Sequence, residues 1–188
     1  MEDHELIQSI LSGQQEDYAH LVRKYQPRVM RLCGSLLTDP ILAEDAAQDI
    51  FLKAYQALPR FRRDASFSTW LYRIAANHCK DLLRKRAREK TESWDALVEQ
   101  NGERIEQLLV APDDQRTAVA NAELAHRILC HLPVDYRLIL TLREVEGLTY
   151  KQLAQTLSCS IDAVKARLRR ARHALQERLR HFLGHTAV

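Results

Sequence analysis

The stretch "GLTYKQLAQTLSCSIDAVKARLRRAR", residues 147 to 172, decides how this chain is read. Its last eight residues carry five positive charges: Lys165, Arg167, Arg169, Arg170 and Arg172. At about 100° per residue, Ile161, Val164, Leu168, Ala171, Leu175, Leu179 and Phe182 fall on one stripe, while Ala166, Arg169, Arg170 and His173 point the opposite way. Lys165 and Arg172 border that stripe on one side, Arg167 and Arg178 on the other. Ser160 is placed to cap this helix, and Asp162 in its first turn suits the positive end of the helix dipole. Leu148, Leu153, Ala154 and Leu157 supply an apolar side to the preceding helix, and the turn Ser158-Cys159-Ser160 joins the two. Two helices so joined, the second apolar behind and basic in front, read as a helix-turn-helix that can enter a major groove. Exposed arginines there reach guanine edges or phosphates, and only base-edge contacts carry sequence information. A membrane-surface helix would instead want Trp or Phe exposed on its apolar side, whereas this stripe is needed for packing.

Outward from that motif, the rest of the chain is also helical in character. Gly and Pro number five each among 188 residues and the aromatics make up 6%, so hairpin signals are scarce and helix formers dominate. Periodic segments run over 3–12, 15–37, 40–58 and 67–88, then over 114–131, 134–145, 150–157 and 161–183. Between the two groups lies "TESWDALVEQNGERIEQLLVAPDDQ", which holds Asn101-Gly102 and Pro112 and keeps no long apolar period. Charge divides the chain at the same places. Residues 1–90 carry 15 basic and 12 acidic side chains, residues 91–115 carry 1 and 7, and residues 116–188 carry 12 and 6. The expected architecture is all-α: two small helical domains, 1–90 and 116–188, joined by an acidic linker over 91–115, the second domain containing the helix-turn-helix. Basic blocks point towards a polyanionic partner.

Two features of the first block sharpen this. Asp39 as N-cap and Pro40 at the first helical position start a helix whose Ala43, Ala46, Ala47, Ile50, Phe51, Ala54 and Leu58 share one face, leaving Glu44, Asp45, Gln48 and Asp49 on the other. One face is core and the other an acidic surface. In "RFRRDASFSTWLYRIAANHCKDLLRKRAR", residues 60 to 88, Phe61, Phe67, Trp70 and Tyr72 interleave with Arg60, Arg62, Arg63, Arg73, Lys80, Arg84, Lys85 and Arg86. Single-stranded nucleic acid wants that mixture, since bases stack on rings and phosphates need positive charge. Leu71, Ile74 and Ala75 read as core, and Trp70 suits either role.

These three segments together resemble the extracytoplasmic-function group of sigma-70-type RNA polymerase sigma factors, over nearly the whole chain. "AEDAAQDIFLKAYQAL" is similar to the family's core-polymerase-binding helix, "FRRDASFSTWLYRIAANHCKDLLRK" to its promoter-melting and minus-ten segment, and the opening stretch to its minus-thirty-five reader. The resemblance implies that Asp45, Gln48 and Asp49 face core RNA polymerase. It implies that Arg62, Arg63 and Asp64 belong to a loop holding a flipped minus-ten base, with Trp70, Arg73, Asn77 and Lys80 on the adjoining helix. Flipping costs a few kcal/mol of stacking, so a shaped pocket must offset it. It further implies that Lys165, Arg169 and Arg170 contact the minus-thirty-five duplex, with Arg167 on phosphate or packing. Ala166 stands where the family often has Ser, and the turn lacks the usual Pro or Gly, departures that bear on base preference more than on fold. The implied partners are core RNA polymerase, promoter DNA in duplex and single-stranded form, and an anti-sigma factor.

Other chemistries find little support. No uninterrupted apolar run reaches the ~18 residues of a membrane span, and "MEDHELIQ" is not a signal sequence, so a cytosolic protein without membrane insertion is expected. Cys33, Cys79, Cys130 and Cys159 form no CxxC pair and read as isolated, mostly buried thiols. His126, Cys130 and His131 could place two metal ligands on one turn but lack a third at defined spacing, so no metal and no cofactor is expected. No catalytic constellation is visible, and no enzyme activity is expected. A one-domain regulator sensing a signal through residues 1–115 has no use for the aromatic-basic block. A DNA-processing enzyme would need facing carboxylates, and Glu44, Asp45 and Asp49 lie on a single helix.

Overall fold

The computed structural model describes residues 2–62, 64–92 and 129–184, with side chains through Arg88 in the first part and Arg180 in the last. The acidic linker, Arg63, His126 and most of the segment expected as a helix over 114–131 lie outside the described residues. The main α-helices among the described residues are α1 (Asp3–Leu11), α2 (Tyr18–Leu36), α3 (Pro40–Ala57), α4 (Phe67–Glu92), α5 (Val134–Leu140), α6 (Tyr150–Leu157) and α7 (Ile161–Gly184). No strand occurs among the described residues.

In the first helical unit, α2, α3 and α4 pack on one another and α1 closes one side. Leu21, Val29, Leu32, Leu36, Ile50 and Leu71 are fully enclosed, and Ala43, Ala46, Ala47 and Ala54 give α3 a narrow buried face that lets its neighbours approach closely. Asp39 caps α3 as its sequence indicates, its carboxylate accepting the Ile41 and Leu42 N–H groups at 3.1 and 3.3 Å. Pro27 lies within α2. It and Arg23 are both exposed, so the carbonyl that loses its N–H partner is on the side facing water.

The second unit is built from α5 to α7 around Leu138, Ile139, Leu142, Leu153, Val164, Leu168 and Ala171. The segment expected as one helix over 134–145 changes pitch: after α5 the residues Thr141–Val145 form a wider π turn, with the Glu146 N–H donating to the Thr141 carbonyl at 3.0 Å. Gly147, at φ 72°, reverses the chain and lets the Leu148 N–H reach the Leu142 carbonyl at 3.0 Å. Thr149 and Gln152 form a reciprocal capping box at the start of α6. Ser158 ends α6 in the left-handed region (φ 50°, ψ 49°), and the Ser160 hydroxyl caps α7 by accepting the Ala163 N–H at 3.2 Å. Of the stripe expected on α7, Val164, Leu168 and Ala171 are buried and Leu175 and Leu179 partly buried, while Ile161 is 43% exposed.

The two units dock. α4 packs along α6, and α2 meets α5 and the π turn, so the buried apolar residues of both units form one continuous cluster.

Candidate nucleic-acid interface

The aromatic-basic block folds into a ridge beside a cavity. Trp70, Arg73, Asn77 and Lys80 follow one another along α4 at helical spacing, with Arg73 and Asn77 exposed and Lys80 partly covered. Ser66 starts the helix, its hydroxyl accepting the Thr69 N–H at 3.2 Å. Just before it, Phe61 packs on Trp70 (centroids 5.1 Å apart), Phe67 on Trp70 (5.6 Å) and Tyr25 on Phe67 (5.3 Å). This rigid aromatic wall backs a cavity of about 330 Å³ lined by Arg60, Phe61, Arg62, Asp64, Ala65, Thr69, Trp70, Arg73 and Gln155. That volume is within the ~300–1,000 Å³ range of small-ligand sites, with room for one planar base. Arg62, Asp64, Trp70 and Arg73 thus meet at one place; Asn77 and Lys80 continue the ridge away from it.

Only two of the four aromatics expected to face nucleic acid line this cavity. Phe67 is buried beneath it, and Tyr72 is 1% exposed, its hydroxyl donating to Glu146 Oε2 at 2.5 Å. Burial, and then the Glu146 hydrogen bond, push the Tyr72 phenol well above its usual range. Thr69 meets Thr156 of α6 and Tyr72 meets Glu146 after the π turn, neighbours that residue spacing within either segment does not reveal.

On α3, Asp45, Gln48 and Asp49 are all exposed, as is Glu44. Ile41 (75% exposed) and Leu52 (56%) lie on the same face, one turn beyond Asp45 and Gln48 respectively. The sequence reading missed them; their positions at i−4 and i+4 of those polar residues were the available signal. His78 is buried between α3 and α4. Lys53 Nζ donates to its Nδ1 at 2.6 Å, and Asp49 Oδ2 stands 3.5 Å from Nε2, too far for a hydrogen bond. Burial, followed by the Lys53 charge, lowers the His78 pKa.

The basic face of α7 divides by partner. Arg172 is held by Glu144, through Nε at 3.1 Å and Nη2 at 2.7 Å, and Lys165 lies 3.3 Å from Asp162. Arg169 and Arg170 project into solvent, making no ion pair with a described residue, and Arg167 is partly covered. Two surfaces result, a cavity with a polar ridge on α4 and a cationic face on α7.

Cys33 and Cys79 are not isolated: their sulfurs meet 3.7 Å apart between α2 and α4, and that contact with burial drives the Cys33 thiol far above its ordinary range. No group of three potential metal ligands occurs among the described residues. No helix among them is long and apolar enough to cross a membrane.

Residues 21–89 match the family model for sigma-70 region 2, and residues 122–175 match that for sigma-70 region 4. The chain is 35% identical over 186 residues to the RNA polymerase sigma-H factor of Pseudomonas aeruginosa, covering 97% of this chain and 96% of that protein. It is an extracytoplasmic-function sigma factor of the sigma-70 family. It is also 33% identical over 184 residues to the ECF RNA polymerase sigma-E factor of Escherichia coli, covering 96% of each. Two solved relatives share its fold at a TM-score of 0.67. One is the sigma factor RpoE in complex with the anti-sigma factor NepR from Bartonella quintana (27% identity, 88% of this chain and 98% of that one). The other is CnrH in complex with the cytosolic domain of CnrY (26%, 94% and 96%). The sigma factor therefore acts with core RNA polymerase in promoter-specific transcription initiation, recognising minus-ten and minus-thirty-five elements. The region 2 match takes in the aromatic cavity, the α4 ridge and the acidic face of α3; the region 4 match takes in α5, α6 and most of α7.

Proposed function

We propose that the cavity between the 61–66 segment and α4 receives an unstacked base of the minus-ten element, and that this drives strand opening. The observation that carries the proposal is the junction of a base-sized cavity, walled by Phe61 and Trp70 and flanked by Arg62 and Arg73, with the ridge Arg73, Asn77, Lys80. Stacking and charge there replace what the base loses on leaving the duplex. Arg63, next to Arg62 in the sequence, is assigned to the same contact, and Asp64 supplies acceptors for exocyclic amino groups. Asp45, Gln48 and Asp49 form the polymerase contact, with Ile41 and Leu52 adding apolar area at its two ends. Lys165, Arg169 and Arg170 meet the minus-thirty-five duplex, and Arg167 meets phosphate.

In this reading residues 1–90 are the region 2 domain, 91–115 the linker and 116–188 the region 4 domain. The factor makes and breaks no bond itself, works in the cytoplasm, and is restrained by a protein of the anti-sigma kind. Transcription in vitro with purified core polymerase tests the central claim. Promoter-specific transcripts should require the added factor, and a bubble template already open across the minus-ten element should rescue Trp70→Ala. Failure of the bubble to rescue would remove strand opening from the role of Trp70.

A further inference from the structure

A buried histidine stands behind the acidic face of α3. His78, on α4, is only 6% exposed, and the charged groups acting on its ring are Lys53 and Asp49 of α3 and Asp81 of its own helix. Asp49 and Lys53 lie one turn apart on α3 and bracket the ring, Lys53 Nζ at 2.6 Å from Nδ1 and Asp49 Oδ2 at 3.5 Å from Nε2. An ammonium group has hydrogens to give and no lone pair to receive one, so Nδ1 is the acceptor and the ring proton falls on Nε2. That Nε2–H is enclosed and has no hydrogen-bond partner, yet a carboxylate oxygen stands within about 0.5 Å of bonding distance. The Asp49 side chain is 59% exposed, so it can turn towards the ring without disturbing the core.

We infer that His78 is a positioning residue for the polymerase contact: its Nε2–H, aimed by Lys53, holds Asp49 from behind once the outer side of that carboxylate is covered by core polymerase. The inference rests on the assignment of Asp49 to that contact. In the free factor water satisfies Asp49, and the gap to Nε2 costs the carboxylate nothing. Contact strips that water away, and a charged acceptor left short of donors is then destabilising. A charge-assisted bond from Nε2–H meets the need, pairs a donor otherwise enclosed and unsatisfied, and selects one orientation of Asp49 for the partner. Lys53 contributes indirectly, because a ring protonated on Nδ1 instead would turn the lone pair of Nε2 on the carboxylate.

The test uses the full chain. Imidazole nitrogen NMR of the histidine-labelled factor should show neutral His78 protonated on Nε2. Its pKa should rise in Lys53→Met and fall in Asp49→Ala, since the two neighbours act in opposite directions. Lys53 and Asp49 are both exposed, so these variants keep the core. A neutral ring protonated on Nδ1, or a pKa that neither substitution moves, would overturn the positioning. Binding to purified core polymerase is then read by competition with a labelled sigma factor. His78→Phe, which keeps a ring but no donor, should weaken it roughly tenfold, and His78→Gln, which carries an N–H to the neighbourhood of Nε2, should recover part of the loss. In the Asp49→Ala background His78→Phe should cost nothing further. Asp49→Ala by itself separates the two ideas. Unchanged binding would remove Asp49 from the polymerase contact, whereas weaker binding with an equal His78→Phe loss in both backgrounds would keep the contact and reduce His78 to packing.

Discussion

Ser158 shows what one residue contributes to the reading motif. It is the one non-glycine residue at positive φ among the described residues, and it closes α6 directly before the helix that carries the basic face. A left-handed conformation costs an L-residue roughly 1–2 kcal/mol, while glycine gives back ~0.5–1 kcal/mol in chain entropy. Ser158→Gly should therefore stabilise the factor slightly, by about 0.5 kcal/mol, and Ser158→Val should destabilise it by ~1 kcal/mol or more. Urea unfolding followed by circular dichroism distinguishes them, and equal midpoints for all three proteins would show that the turn is unstrained. The absence of Pro or Gly was visible in "SCS"; that the first serine would take the strained position was not, because the turn type depends on how α6 and α7 cross.

At the scale of elements, α3 and α7 each present one face to the core and one outward, and their roles should separate on mutation. Asp45→Ala with Gln48→Ala should weaken binding to core polymerase, measured by competition with a labelled sigma factor, while duplex binding stays as it was. Arg169→Ala or Arg170→Ala should do the reverse, weakening duplex binding by ~1–3 kcal/mol for an arginine that bonds a base edge. Were the effect uniform over all duplex sequences and accompanied by a shallower salt dependence, these arginines would touch phosphate only. Helical period and caps sufficed to divide these faces: Asp39-Pro40 at one start and Ser160 at the other fix the phase, and the buried alanines of α3 follow from it. Period failed at Ile161, exposed in the first turn of α7, and at Tyr72, which sits among cations in sequence yet is buried with its hydroxyl on Glu146. The second miss arises from a neighbour contributed by another element.

At the scale of the molecule, the two halves were legible from charge and composition, but their docking was not. Arg31 and Glu146 are 115 residues apart, and neither lies in a pattern that requires the other. The Lys80–Asp135 pair makes this interface accessible to pH. Lys80 holds the Asp135 carboxyl below the ordinary carboxylate range, chiefly by the hydrogen bond it donates, with burial opposing it. A carboxyl whose pKa is lowered in the docked state strengthens docking fully above its ordinary value of 3.8 and loses that contribution as pH falls through the lowered one. Acidification from neutral towards and below about pH 4 should thus loosen docking, and stability should fall with pH more steeply in the native factor than in Asp135→Asn. Urea midpoints of the two proteins across that range measure the difference. Parallel curves would mean that the pair adds nothing to docking, leaving the Glu146 cluster and the α4–α6 packing to hold the two units together.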